Sequence, residues 1–342
     1  MSESPTPTVS QLSPPPPSAE LPAFSSRIGR VIDNTALKDY MTCPSKYLFG
    51  MYLDRRKDGV TAATNYGSCW HKAQEVGYKS PEVHQDDLLD AVRMAVVDSW
   101  RMPVSDDHRT LNRLMLEYEK YLRKWGMPWA EPEYVTVGWP ESPFVELAVD
   151  VPIPGARHPY AGKLDRIAVT RTGHKTWILE DHKTTSQMRS DSFKQWSIDN
   201  QMIGYAALAQ RLTGLPIAGV RINLHVIHKS DSIFERQLIP FSQPRIESWQ
   251  RLYDVWLGQL ERSIDLYAEA ESMLAHEGWT PEYDRLVLEA FPQNFTACAG
   301  KYGMCGYFDV CTMPPQLRMR HLEQYFEVFP WDPLHAEDAA DV

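Results

Sequence analysis

The 342-residue sequence predicts an α/β fold with a mixed central sheet, a helical insertion and a cysteine-rich closure. Three observations point there. Helical apolar periodicity fills the first third of the chain, and a run of short β-like segments follows from about residue 134. A helix, two further strands and a long helix then alternate, the order of a layered α/β protein. Three of the five cysteines lie together near the end, at 298, 305 and 311.

The elements follow in order. Residues 1–26 hold seven prolines and no basic residue, which predicts a disordered, partly polyproline arm. NTALKDYMTC (34–43) reads as a short capped helix, and Pro44 suits the first turn of a second one carrying Tyr47, Leu48, Met51 and Tyr52. A helix is expected over about 65–79. A longer helical stretch over about 85–125, broken near Pro103, lies in a predicted insertion at about 80–130. Strands are expected at Tyr134–Gly138, Val145–Val151, Tyr160–Val169 and Thr176–Asp181, then a helix over about 191–213, ended by Gly214 and Pro216. Val220–Ile227 and Ile233–Ile239 read as two more strands. Pro244 opens a helix to about 273, with Trp249, Leu252, Val255, Trp256, Leu260, Ile264 and Tyr267 on its apolar side. The stretch over about 285–320 reads as irregular, and residues 329–342 as an acidic tail. One domain is expected over 27–328.

Composition sets bounds on function. Apolar content of 43% and charged content of 23% describe an ordinary globular chain. No run of 18 apolar residues occurs, so no membrane partner is expected. A net charge of −10 argues against a basic DNA-coating protein. Glu3, Glu20, Asp332, Glu337, Asp338 and Asp341 in the two tails supply much of that charge. The N-terminus has neither a basic region nor an apolar core, so a cytoplasmic, non-secreted location is expected. In that reducing setting, clustered cysteines bind metal more often than they form disulfides.

Two segments carry chemistry. GKLDRIAV (162–169) places Asp165 in a β-like run, and WILEDHKTT (177–185) leads from apolar residues into Asp181 and Lys183. Residues two apart in a strand share a face, so Asp181 and Lys183 point one way, with Glu180 and His182 opposite. Carboxylates from neighbouring strands suit Mg²⁺ or Mn²⁺, which take oxygen ligands. Such an ion offsets phosphate charge and activates water, and a lysine beside it stabilises developing negative charge. His71 and Glu75 share a helix face upstream, as Gln201 and Tyr205 do downstream. Alone, an Asp-x-Lys at a strand end is usually a solvated edge, and a helical histidine is usually structural. The order of all four elements is what gives them weight.

These residues resemble the PD-(D/E)XK nuclease superfamily, with its restriction-endonuclease-like fold. They are most similar to the RecB-type branch, which includes the iron–sulfur nucleases of CRISPR adaptation and of the AddAB helicase–nuclease. The resemblance rests on His71, Gly162-Lys163-Leu164-Asp165, Asp181-His182-Lys183-Thr184, Gln201 and Tyr205, and on TALKDYMTCPSKYLF (35–49), and it covers about residues 33–312. It implies a DNA nuclease, an exonuclease on single strands or duplex ends, of bacterial or phage origin, with a helicase or recombination protein as partner. It implies that His71, Asp165, Asp181 and the backbone carbonyl of His182 bind the metal, and that Lys183 is the catalytic lysine. Gln201 and Tyr205 match the motif after the core, and Glu146 falls at the active-site rim. No Walker A motif is present, so no helicase motor is expected. A non-catalytic DNA-end-binding subunit and an RNA nuclease are the competing functions.

The same resemblance implies that Cys43, Cys298, Cys305 and Cys311 hold a [4Fe–4S] cluster, with one cysteine before the nuclease core and three after it. The six-residue gap between Cys298 and Cys305 departs from the short first gap of relatives. Zn²⁺ and plain buried thiols are the alternatives, although zinc sites usually show tighter cysteine pairs. Cys69, two residues before His71, reads as a packed residue.

Overall fold

The computed structural model describes residues 28, 31–57, 61–101, 107–188, 191–300 and 303–334. The proline-rich arm, the break near Pro103 and the tail from residue 335 lie outside the described residues. The chain begins with α1 (Asn34–Thr42), α2 (Pro44–Tyr47), a π-helical turn (Leu48–Tyr52) and β1 (Arg55–Arg56). Helices α3 (Ala62–Lys79), α4 (Gln85–Ser99) and α5 (Leu111–Trp125) precede β2 (Tyr134–Thr136), β3 (Val145–Val151), β4 (Tyr160–Thr170) and β5 (Trp177–Thr185). Then come α6 (Ser192–Trp196), α7 (Asn200–Thr213), β6 (Ile217–Ile227), β7 (Ser232–Pro240) and α8 (Gln243–Glu277). The chain closes with α9 (Pro281–Ala290), β8 (Ala299–Gly300), β9 (Gly303–Met304), α10 (Phe308–Thr312), α11 (Pro315–Tyr325) and β10 (Glu327–Val328). No described helix is long and apolar enough to cross a membrane.

Two expectations about elements need correction. The single helix over 191–213 is two, because the Asp199 carboxylate accepts from the backbone N–H of Gln201 and Met202 and starts α7 afresh. The stretch over 285–320 is not irregular throughout. Thr280 caps α9 through the Tyr283 N–H with Pro281 in the first turn, and Pro315 opens α11.

The described residues group into two compact units. The first draws on 61–149 and 163–246 and holds most of the six-stranded sheet, in the order β2-β4-β5-β6-β7, with β3 also paired to β4. β4 runs antiparallel to β2 and β5, β5 is parallel to β6, and β7 is antiparallel to β6. A parallel pair requires a crossover, and α7 supplies it. Met202, Ala206, Ala207, Leu208 and Ala209 on α7 are buried. β6 is interior to the sheet and buried along nearly its whole length, whereas the edge strand β7 is mostly half-buried or exposed.

α3 pairs with α4 and α5 through Trp70, Leu88, Val92, Val96, Leu114, Tyr118 and Tyr121. A Cβ at Gly77 would overlap the hydroxyl of the buried Tyr118, so glycine leaves room for that ring between α3 and α5. Against these helices the sheet presents charge. The register sets Arg166 opposite Glu180, and Glu180 opposite Arg221. Arg166 Nη1 lies 2.8 Å from Glu131 and 3.0 Å from Glu180, both carboxylates being buried.

The second unit draws on 28–57, 150–162 and 247–334. Asp33 caps α1 by accepting from the Ala36 N–H and also accepts from Trp331 Nε1. The buried stripe of α8 here runs Trp249, Tyr253, Leu257, Leu260, Ile264 and Tyr267, at helical three- and four-residue spacing. Leu252 and Val255, expected on the apolar side, are 47% and 53% exposed because that stripe turns past them.

Candidate active site

The recorded ladder between β4 and β5 ends at the Arg166–Glu180 pair. One residue beyond, the Asp165 side chain takes over: its Oδ2 accepts from the His182 backbone N–H at 2.6 Å. Asp165 is therefore buried against β5 at the point where the strands part. On β5, Lys183 Nζ lies 2.7 Å from Asp181 Oδ2. Glu180 and His182 take the other face. Glu180 is fully buried among Arg166, Arg221 and Asn223, which leaves it committed to the fold. The His182 ring stacks on Tyr78 at 5.9 Å, and its Nδ1 lies 3.0 Å from Asn223 Nδ2.

α3 brings His71 to the same place. Its Nδ1 is 3.3 Å from Asp165 Oδ2 and 3.6 Å from Glu146 Oε1. One ligand atom each from His71, Glu146 and Asp165 can be chosen so that all lie within 4.8 Å of one another. Asp181 is not a member of that trio; it stands beside Lys183. Glu75 points elsewhere, held by Lys72 and Lys79. Glu146, expected only at the rim, stands in the centre. Its signal in the sequence was a lone acid in the apolar run Phe144-Val145-Glu146-Leu147-Ala148-Val149. α7 places Tyr205, largely buried and hydrogen-bonded to Gln201, within the field of Lys183.

Electrostatics separates the two aspartates. Burial pushes the Asp181 carboxyl up to about 6, with Lys183 pulling it down and Asp165 pushing it further up. Burial opposes ionisation of Asp165 too, but His71, His182 and Lys183 outweigh it and hold that carboxyl well below its usual range. Burial disfavours a charged His71, yet Asp165 and Glu146 keep its imidazole well above the ordinary histidine value. Burial, with smaller help from His71 and Arg236, takes the His182 ring down to about 4 against the pull of Glu180 and Asp165. Lys183 is held above its usual range by Asp181 and Asp165 despite burial. A nitrogen donor and several carboxylate oxygens, buried together, form a donor set suited to a hard divalent cation.

The cysteines separate as well. Cys43, Cys298, Cys305 and Cys311 line one cavity of about 270 Å³ within the second unit. The β8–β9 hairpin joins two of them, Cys305 N–H donating to Cys298 O at 2.8 Å, and the Asn294 N–H reaches Cys43 Sγ at 3.4 Å. Burial and the neighbouring thiols push Cys311 up to about 11. Among the described residues, no three cysteine sulfurs fall within 4.8 Å of one another. Cys69 lies apart, buried on α3 with its thiol toward Ser99 O.

No curated protein matches the chain. A family model for the PD-(D/E)XK nuclease superfamily matches residues 34–312, spanning the mixed sheet, its flanking helices and all five cysteines. Members of that superfamily are generally nucleases that use divalent metals, and the mixed sheet is consistent with their restriction-endonuclease-like fold. On the match over most of its length, this chain belongs to the PD-(D/E)XK nuclease superfamily.

Proposed function

We propose that the protein is a Mg²⁺- or Mn²⁺-dependent deoxyribonuclease of the RecB-type branch, an exonuclease on single-stranded DNA or duplex ends. Its setting is recombination, repair, replication or phage DNA processing in a bacterial cytoplasm, beside a helicase or recombination partner. The observation that carries this reading is the convergence of Asp165, Asp181 and Lys183 from adjacent strands, with His71 3.3 Å from Asp165. His71, Asp165, Asp181 and the His182 carbonyl would hold the cation, which supplies charge neutralisation at phosphate and an activated water. Lys183, fixed by Asp181, keeps its proton and presents positive charge to the phosphoryl oxygens as negative charge builds. Tyr205 and Gln201 buttress that lysine from α7 and border the DNA path.

The four-cysteine cavity supports a [4Fe–4S] cluster as the second cofactor. A tetrahedral zinc site, with Zn–S near 2.3 Å, draws its sulfurs to about 3.8 Å apart. A cavity of about 270 Å³ favours a cluster, which fills more of it than a single ion would. Its role would be structural, tying the segment at Cys43 to the segment after α9.

Digestion of end-labelled linear DNA and uniformly labelled circular DNA, single- and double-stranded, with Mn²⁺ tests the activity. Wild type should shorten linear substrates, and Asp181→Ala and Lys183→Ala should not. A wild type that binds DNA ends without cutting would make the protein an accessory subunit. Variants that cut as wild type would remove these residues from the site.

A further inference from the structure

Glu146 is the residue for which the active-site reading has no use, yet the fold goes to some length to place it. Its backbone adopts φ +52°, a left-handed conformation that side-chain-bearing residues in strands avoid. Phe144 and Val145, the two residues before it, are buried, so the chain is anchored just ahead of the kink. The kink turns the carboxylate inward until its side chain is 5% exposed. There it faces two cationic groups. Oε2 lies 3.0 Å from Lys163 Nζ, and Oε1 lies 3.6 Å from His71 Nδ1. A buried carboxylate is costly unless its charge is met.

Ligand bonds of about 2.1 Å place opposite ligands of one octahedral ion about 4.2 Å apart. The His71, Glu146 and Asp165 ligand atoms, all within 4.8 Å of one another, need only a slight contraction to share such an ion. We propose that Glu146 is a direct ligand of the divalent metal alongside His71 and Asp165, and that Lys163 is the cation that stands in for the metal and is displaced by it. This rests on the nuclease reading of the site. Lys163 is 27% exposed at the opening of β4, so once released its ammonium can turn to solvent or to a DNA phosphate. The proposal makes opposite demands on two neighbours: losing Glu146 weakens metal binding, and losing Lys163 strengthens it.

The test is Mn²⁺ titration of the full chain without DNA, by calorimetry and by the free-ion electron paramagnetic resonance signal. Glu146→Gln should weaken Mn²⁺ binding by about tenfold or more. Glu146→Asp should weaken it by a smaller factor, and it serves if the glutamine variant does not fold. Lys163→Met should tighten binding by about two- to fivefold, the worth of a partly exposed ion pair. Asp181→Asn is the control for the site itself. If Asp181→Asn weakens binding while both Glu146 variants bind as wild type, Glu146 is not a ligand and the proposal falls alone. If Lys163→Met weakens binding, Lys163 supports the site and does not compete with the ion, and that half falls. If neither Asp181→Asn nor the Glu146 variants change binding, the metal centre lies elsewhere and the nuclease site falls with it.

Discussion

In the proposed centre a proton and a divalent cation would compete for Asp181, and the competition has a calculable size. Burial places its carboxyl at about 6 in the metal-free protein. At pH 7 about nine in ten molecules then carry the anion, and at pH 5 about one in ten do. The apparent Mn²⁺ affinity should therefore fall about tenfold between pH 7 and pH 5 through this group alone, close to 1.4 kcal/mol. The sign follows from the raised value: proton binding wins as pH falls through 6. An aspartate at its ordinary value would lose less than about a tenth of its anion over the same interval. His71, held above its usual range, must also shed a proton before its nitrogen can bind metal, which steepens the trend. Calorimetry at both pH values, in two buffers of different ionisation enthalpy, reads affinity and proton release together. Asp181→Asn should bind Mn²⁺ more weakly at pH 7 and with a shallower pH dependence. If the asparagine variant keeps the full wild-type dependence, or if wild-type affinity does not change between the two pH values, the assignment of Asp181 as a buried, proton-holding ligand is wrong.

Three other outcomes follow from the geometry. Lys183→Ala should lower the cleavage rate by about 10²–10³-fold or more, because Lys183 offsets developing charge, while Mn²⁺ affinity changes much less, because the loss frees Asp181 of a competing cation but also lets its carboxyl rise further; single-turnover digestion and calorimetry check the two halves. Glu180→Ala should destabilise the protein by about 3–5 kcal/mol, since Arg166 and Arg221 would stay buried with Glu131 as the remaining shared acid, lowering the thermal midpoint by about 6–20 °C in a melt followed by circular dichroism. If the proposed cluster is present, wild type purified without oxygen should be brown with broad visible absorption and Cys305→Ser should lose both, and iron analysis gives the same comparison.

What was legible in the sequence depended on how local its cause was. β3 falls at Val145–Val151 as expected because its pattern needs only neighbouring residues, and Pro143 and Pro152 bound it. The opposed faces of Asp181 and His182 follow from the two-residue period of a strand. Glu146 was harder: a positive φ leaves no trace in residue type unless glycine marks it, so only its isolation among apolar residues hinted at its place. The Asp199 cap was present in the sequence but hidden inside a continuous helical pattern. The salt-bridge layer of Glu131, Glu180, Arg166, Arg221 and Arg236 was not legible, because its members lie far apart in sequence and meet only through strand register. The near approach of Cys43 to a loop some 250 residues on had the same character, and only family resemblance suggested it.

The hydrogen bond from the His182 N–H to the Asp165 carboxylate bears on how inactive forms of this protein should be made. Asp165 fastens β4 to β5 just beyond their ladder as well as standing in the proposed metal centre, so replacing it with alanine would loosen a strand pair in the same stroke that empties that centre. A silent protein obtained that way would confuse a misassembled scaffold with a disarmed one. Lys183 carries no such fastening. Its replacement is the cleaner way to trap a DNA complex for crystallography, with the nucleic acid seated on an intact sheet.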